Sequence, residues 1–168
     1  MITRGFHDDP ALLLSDADVS VLPSVGVLDQ LLVSLKGKNA KHLRAWTVER
    51  SAFSANDKSR YAIFLKDTLV GEVTLQDFST LSCQISYWLD KKHQKKGIAT
   101  TAVRLLSEYA LARLNVLEVV AYVHVSNTPS IRVLEKAGYE HVDTTVKNMF
   151  YADVSAPHLV YTYDRFSM

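Results

Sequence analysis

A strand, a short basic loop and a helix follow one another between Gln84 and Ala110, and this succession constrains the fold more than any other stretch of the chain. Gln84 to Leu89 is rich in aromatic and branched residues, which suits a strand. Downstream, Ala102, Val103, Leu106, Tyr109 and Ala110 fall at helical spacing, with Arg104, Glu108 and Arg113 interleaved. Between them lies Gln94-x-x-Gly97-x-Ala99, where small residues let a backbone approach closely. The first amides of a helix are donors without intrahelical partners, at the positive end of the helix dipole. The segment therefore predicts a phosphate cradle over Gln94, Lys95, Lys96, Gly97, Ile98, Ala99 and Thr100. The plainer alternative is a strand–helix connection carrying solvated lysines.

Two common nucleotide motifs are excluded. No Gly-x-x-x-x-Gly-Lys-Ser/Thr run occurs in the chain. The dinucleotide fingerprint needs three glycines at set spacing, and this loop has only Gly97. Formal net charge is +1 over 168 residues, so no global field draws the chain to nucleic acid. Lys91, Lys92, Lys95 and Lys96 concentrate the basic character in the loop. The single Cys83 excludes an internal disulfide framework, fits a reducing cytoplasm, and reads as a buried thiol in an apolar run. No apolar stretch has the length of a membrane span or a signal peptide, so a cytoplasmic location is expected. Nothing in the sequence points to a metal.

The chain reads as one domain over 1–168. A first short strand is expected within 11–22, ended by Pro23, then helices over 24–35 and 40–53 capped by Ser24 and Asn39. Strands follow at Tyr61–Leu65 and Leu69–Leu75, joined by a tight turn, and then the strand ending at Leu89. After the cradle helix, Leu117–Val125 reads as a buried strand. Asn127-Thr128-Pro129-Ser130 opens a helix that Gly138 closes after Ala137. Tyr139–Val146 and His158–Tyr163 are the last strands. The order predicts an α/β (α+β) architecture: a mixed central sheet of about six to seven strands with helices on both faces.

The cradle, Asn127 and the helix from Ser130 to Gly138 together resemble the GCN5-related N-acetyltransferase (GNAT) superfamily. Gln94-x-x-Gly97-x-Ala99 resembles the motif that holds the acetyl-coenzyme A pyrophosphate there, and Val125 to Tyr139 resembles the following asparagine–helix–glycine–aromatic segment. Ile85-Ser86-Tyr87-Trp88-Leu89-Asp90, Asn39-x-x-x-Leu43-x-x-Trp46 and His158-x-x-Tyr161 are similar to the RimJ/RimL-like branch, which acetylates protein N-terminal amines. The resemblance covers about residues 39–163. It implies a splay in the sheet at the strand ending at Leu89, with Trp88 and Leu89 offering backbone to the pantetheine arm. It also implies acetyl-CoA as cofactor, a primary amine as acceptor, and no membrane or nucleic-acid partner in a monomer or homodimer.

The residues support that chemistry unevenly. Asn127 reads equally as a helix cap and as a contact to the cofactor arm. Ser130 has the same two readings, and in this branch a serine here protonates the departing thiolate. Most of the superfamily uses a tyrosine four positions later, which is Leu134 here. The branch's usual glutamate and glycine are replaced by Gln84 and Ser86. The late hinge that supplies the base elsewhere carries Asn148 and Met149, neither of them acidic. Gln84 cannot accept a proton at neutral pH. Glu72 shares strand parity with Val70 and Thr74, which places it either toward the cleft as a base or on an exposed polar face. His93 and His124 are further candidates, each also readable as structural. An α-amine is about a tenth to a fifth neutral at pH 7, whereas a lysine amine is neutral in about one molecule in 2,500. A site without a strong base is therefore less handicapped toward α-amines. The expected activity is acetylation of a protein or peptide N-terminus; a small-molecule amine acetyltransferase and a non-catalytic acyl-CoA sensor are the alternatives.

Overall fold

The computed structural model describes residues 14–16, 18–23, 59–66, 68–148 and 155–166. The two helices expected over 24–35 and 40–53, the Asn39/Leu43/Trp46 pattern and Met149 lie outside the described residues.

The expected first strand is a hairpin instead. Leu14–Asp16 (β1) and Val19–Pro23 (β2) pair antiparallel, with Asp16 opposite Val19. Pro23 is the last residue of β2 and not the residue after it, since proline is tolerated at a strand end. Ser59–Leu65 (β3), Thr68–Gln76 (β4) and Ser82–Leu89 (β5) continue the antiparallel meander. Lys66, in left-handed conformation (φ 52°), makes the β3–β4 turn, and its amide donates to Asp18 O at 2.7 Å. At the next turn the Ser79 hydroxyl accepts the amides of Leu81 (3.2 Å) and Ser82 (2.9 Å), which sets the start of β5.

A helix over Ile98–Arg113 (α1) crosses from β5 to Glu118–His124 (β6), which runs parallel to β5. Thr128–Ala137 (α2) follows, then Glu140–Asn148 (β7) and Ser155–Asp164 (β8). Among the described residues the sheet has eight strands in the order β1-β2-β3-β4-β5-β6-β8-β7, more than the six to seven expected because the N-terminal segment folds back on itself. Both described helices lie on one face. Ala102, Val103, Leu106 and Ala110 of α1 are fully buried against Val21, Ile63, Leu75 and Ile85 from the strands. Arg104 on the outer side of α1 pairs with Asp16 of β1 and with Glu108. The α2 terminus closes as expected: Gly138 (φ 98°) donates to Glu135 O at 3.2 Å and Tyr139 to Leu134 O at 3.0 Å, a double C-cap. No helix among the described residues is long and apolar enough to cross a membrane.

Cys83 lies at 1% exposure in β5, as the apolar run predicts, and burial pushes its thiol up to about 12. Two results follow. The thiol is expected to resist alkylation in the folded protein at pH 8 and to react once the chain is unfolded in denaturant. Because the folded value is raised from 9.0, the stability tied to the neutral thiol is intact below about pH 9 and is lost as pH rises toward 12. Alkaline denaturant titrations read this loss, and a Cys83→Ala control should flatten part of the slope.

Candidate active site

The parallel joint between β5 and β6 is short. Its pairs are Ser82↔Glu118, Cys83↔Val119 and Gln84↔Val120. Beyond Gln84 the strands part, while β5 stays paired to β4 through Leu89. The splay thus lies along the strand that ends at Leu89, as expected, and opens after Gln84. Asp90 N–H donates to Val70 O at 2.7 Å, which makes Gly71↔Leu89 a non-hydrogen-bonded pair of the antiparallel ladder. The N–H and C=O of Leu89 consequently point away from β4, into the gap. Gln94 Nε2 donates to that carbonyl at 3.1 Å, so the glutamine of the loop motif ties the loop to the strand edge.

Gly97 adopts φ 78°, and a Cβ built there would meet nothing within 4 Å. Lys95 is also left-handed, at φ 62°. This pair of αL residues turns the loop so that α1 begins facing the gap. The first α1 ladder bond is Thr101 N–H to Gly97 O at 3.0 Å, so the amides of Ile98, Ala99 and Thr100 precede the ladder. A cleft of about 720 Å³ lies between this helix start, the β5 edge and α2. Trp88, Leu89, Gln94, Lys95, Gly97, Ile98, Ala99, Thr100, Asn127 and Ser130 all line it, as do Tyr87, Thr128, Pro129, Arg132, Val133 and Lys136. Lys96 is exposed and is not among the lining residues, and Lys91 and Lys92 belong to an exposed 3₁₀ turn. Among the described residues the lining carries three basic side chains and no acidic one, an arrangement suited to a polyanion.

The cap reading of Asn127 holds. Its Oδ1 accepts from Ser130 N–H at 3.3 Å as an N-cap, and the residue also lines the cleft. Ser130 sits half-buried with its Oγ 2.6 Å from the Tyr87 hydroxyl. Glu72 is placed elsewhere. It points to the sheet face opposite α1 and α2, is 1% exposed, accepts from Thr74 Oγ1 at 3.2 Å and lies 3.9 Å from Arg60 Nε. It is therefore neither on the exposed polar face nor in the cleft lining. His93 is 3.1 Å from Asp90 Oδ2, and His124 Nδ1 takes the Ser126 amide at 3.1 Å. Neither imidazole lines the cleft. Sequence reading missed Arg132, Lys136 and Tyr87. Pro129, Arg132, Val133 and Lys136 are spaced i, i+3, i+4 and i+7 on α2, a signal for one helix face that was available. Tyr87 was not recoverable, because its contact with Ser130 spans 43 residues of sequence.

An acetyltransferase (GNAT) domain model matches residues 7–140. The chain belongs to this acetyltransferase family. Among curated proteins it is 40% identical over 97 residues to the probable N-acetyltransferase YjcK of Bacillus subtilis, covering 56% of this chain and 54% of that one. The chain spans about half the length of the curated relatives it matches. Among solved structures, it is similar in fold to RimL, the ribosomal L7/L12 alpha-N-protein acetyltransferase in complex with coenzyme A. That likeness has a TM-score of 0.66 at 15% identity and covers 91% of this chain and 98% of that one. It is likewise similar in fold to the microcin C7 self immunity acetyltransferase MccE in complex with acetyl-CoA and AMP (TM-score 0.67, 19% identity, 89% and 93% covered). In GNAT terms, the gap beside Leu89 and the start of α1 form the part of the fold that the Gln94-x-x-Gly97-x-Ala99 motif marks.

Proposed function

We propose that this GNAT domain is an acetyl-CoA-dependent N-acetyltransferase acting on a primary amine, with a protein or peptide N-terminus as acceptor. The observation that carries the reading is the opening of β5 from β6 directly beside the start of α1. One gap thus presents a strand edge, a helix N-terminus and cationic side chains together. The edge at Leu89 suits an extended, amide-bearing arm, which adds to a sheet edge as a further strand would. The amides of Ile98, Ala99 and Thr100 suit the pyrophosphate, and Lys95, Arg132 and Lys136 suit the remaining phosphate charge. Acetyl-CoA bound this way supplies the activated acyl group.

The Leu89 N–H is the donor for the thioester oxygen as charge develops on it. Ser130 hands its hydroxyl proton to the departing sulfur. Among the described residues neither Gln84 nor the cleft lining supplies a carboxylate base; in this reading the acceptor enters already neutral, and positioning does most of the work. The RimL-like fold favours an α-amine; the MccE-like fold favours a small-molecule amine as the second reading.

An acceptor panel tests this: peptides with free and with blocked N-termini, the latter keeping an internal lysine, and a polyamine. Turnover of the free peptide alone is expected, with kcat/KM rising along the amine's own titration and levelling near about pH 8. Glu72→Gln should leave that profile in place. Turnover confined to the polyamine would establish the small-molecule reading. A limb near about pH 6 whatever the acceptor, and lost in Glu72→Gln or a histidine variant, would identify a side-chain base and overturn this account.

A further inference from the structure

Tyr87 lines the cleft, and the transfer chemistry above gives it no part. Its hydroxyl lies 2.6 Å from Ser130 Oγ and 3.1 Å from Ser130 O. One phenolic proton thus has two acceptors on one residue. When it goes to the Ser130 carbonyl, the Ser130 hydroxyl must fill the 2.6 Å contact with its own proton, which then points at the Tyr87 oxygen and is not free for the sulfur. When it goes to Oγ, the Ser130 proton is released to turn into the cleft. The two arrangements differ only in hydroxyl rotation, and only the second equips Ser130 to donate.

Burial determines the state in which the phenol works. Tyr87 is driven up to about 12 by desolvation, so it is a neutral donor throughout the range in which α-amines titrate. Asn127 fixes the other end of the serine by accepting the Ser130 amide at 3.3 Å. Ser130 is therefore held from its backbone by one side chain and at its hydroxyl by another. A serine acting alone would be left as an alkoxide, a far stronger base than a thiolate of reference pKa about 8.5, and the proton would return. A donor behind it spreads that charge, and the proton that water returns to the donor completes the transfer.

We propose that Tyr87 is a positioning residue for the departing thiolate, donating to Ser130 Oγ so that the Ser130 proton is aimed at the sulfur. The proposal rests on the Ser130 reading given above. As the carbon–sulfur bond breaks, its electron pair goes to sulfur, which takes the Ser130 proton. The Ser130 oxygen takes the Tyr87 proton, and water returns a proton to Tyr87, matching the one the acceptor amine sheds. No oxidant or further reactant is needed.

The test compares wild type, Tyr87→Phe, Ser130→Ala and the double variant at saturating acetyl-CoA, in mixtures of light and heavy water. Tyr87→Phe is expected to lower kcat at least tenfold with the acetyl-CoA KM within about threefold. The wild-type proton inventory should be curved, from two protons in flight, and that of Tyr87→Phe linear. Adding Tyr87→Phe to Ser130→Ala should cost less than a further twofold, because the phenol acts through the serine. Independent, multiplying losses in the double variant would overturn the proposal, as would wild-type kcat in Tyr87→Phe. Equal losses with unchanged linear inventories would mean that Tyr87 only packs. If no amine is acetylated, the acceptor reading fails by itself. The same comparison is then made on acetyl-CoA hydrolysis, in which the same thiolate departs, and equal hydrolysis rates in all four proteins would overturn the relay.

Discussion

Gly97→Val is expected to weaken acetyl-CoA binding at least tenfold, about 1.4 kcal/mol, in a protein that still folds. The residue sits at φ 78°, where an L side chain costs about 1–2 kcal/mol, so some loss of stability accompanies the change. Yet a Cβ at this position meets no protein atom within 4 Å. Gly97 lines the cleft at the start of α1, so a branched side chain there adds bulk where a ligand meets the helix amides. Gly97→Ala is the control, carrying the backbone strain with the smallest added volume. Calorimetric titration of both variants, alongside their thermal melts, separates strain from obstruction. Unchanged affinity in Gly97→Val would mean that the phosphates bind elsewhere.

Gly71→Ala should do the reverse, damaging the fold first and the site through it. A Cβ on Gly71 would lie 2.2 Å from Trp88 O and 3.0 Å from Leu89 Cα, both backbone atoms that cannot rotate aside. Strand β5 must shift, at a cost near the upper end of the 1–3 kcal/mol typical of overpacking. For a chain of this size that corresponds to a fall of about 6–12 °C in Tm. Because Leu89 presents the N–H assigned to the thioester oxygen, the same shift should reduce kcat at temperatures where the variant remains folded. A melt matching wild type would show that the strands absorb the methyl group freely.

Local chemistry was legible in the sequence wherever a single residue type decides the backbone. Asn127, Pro129 and Gly138 announce the two ends of α2, and the structure places a cap, a first-turn proline and a left-handed closing residue at those positions. Gly97 is legible for the same reason. The hairpin of β1 and β2 was not, because three residues against five carry no periodicity to read. The splay beside the strand ending at Leu89 was anticipated, while the residue at which the strands part was not legible. Where two strands part is decided by the helix between them and by what each edge meets, and neither is written in the strand residues. Parity alone left Glu72 with two destinations, and pairing with Arg60 and Thr74 gave it a third. Tyr87 and Ser130 show the limit most plainly, since their contact exists only once α2 has been laid against β5.

The three-residue joint between β5 and β6 also bears on how this protein assembles and yields. On one side lies a meander, β1 to β5, built mostly from neighbours in sequence; on the other lie β6, β8 and β7. The seam between them is the non-local, parallel kind of pairing that forms late, because its loop must close before it is rewarded. Among the described residues it has three rungs, fewer than any joint except the β1–β2 hairpin at the sheet's edge, which also has three. A molecule lodged across the gap spans both halves and adds rungs of its own. Saturation at a hundred times its dissociation constant adds about 2.7 kcal/mol, delivered at this three-rung joint.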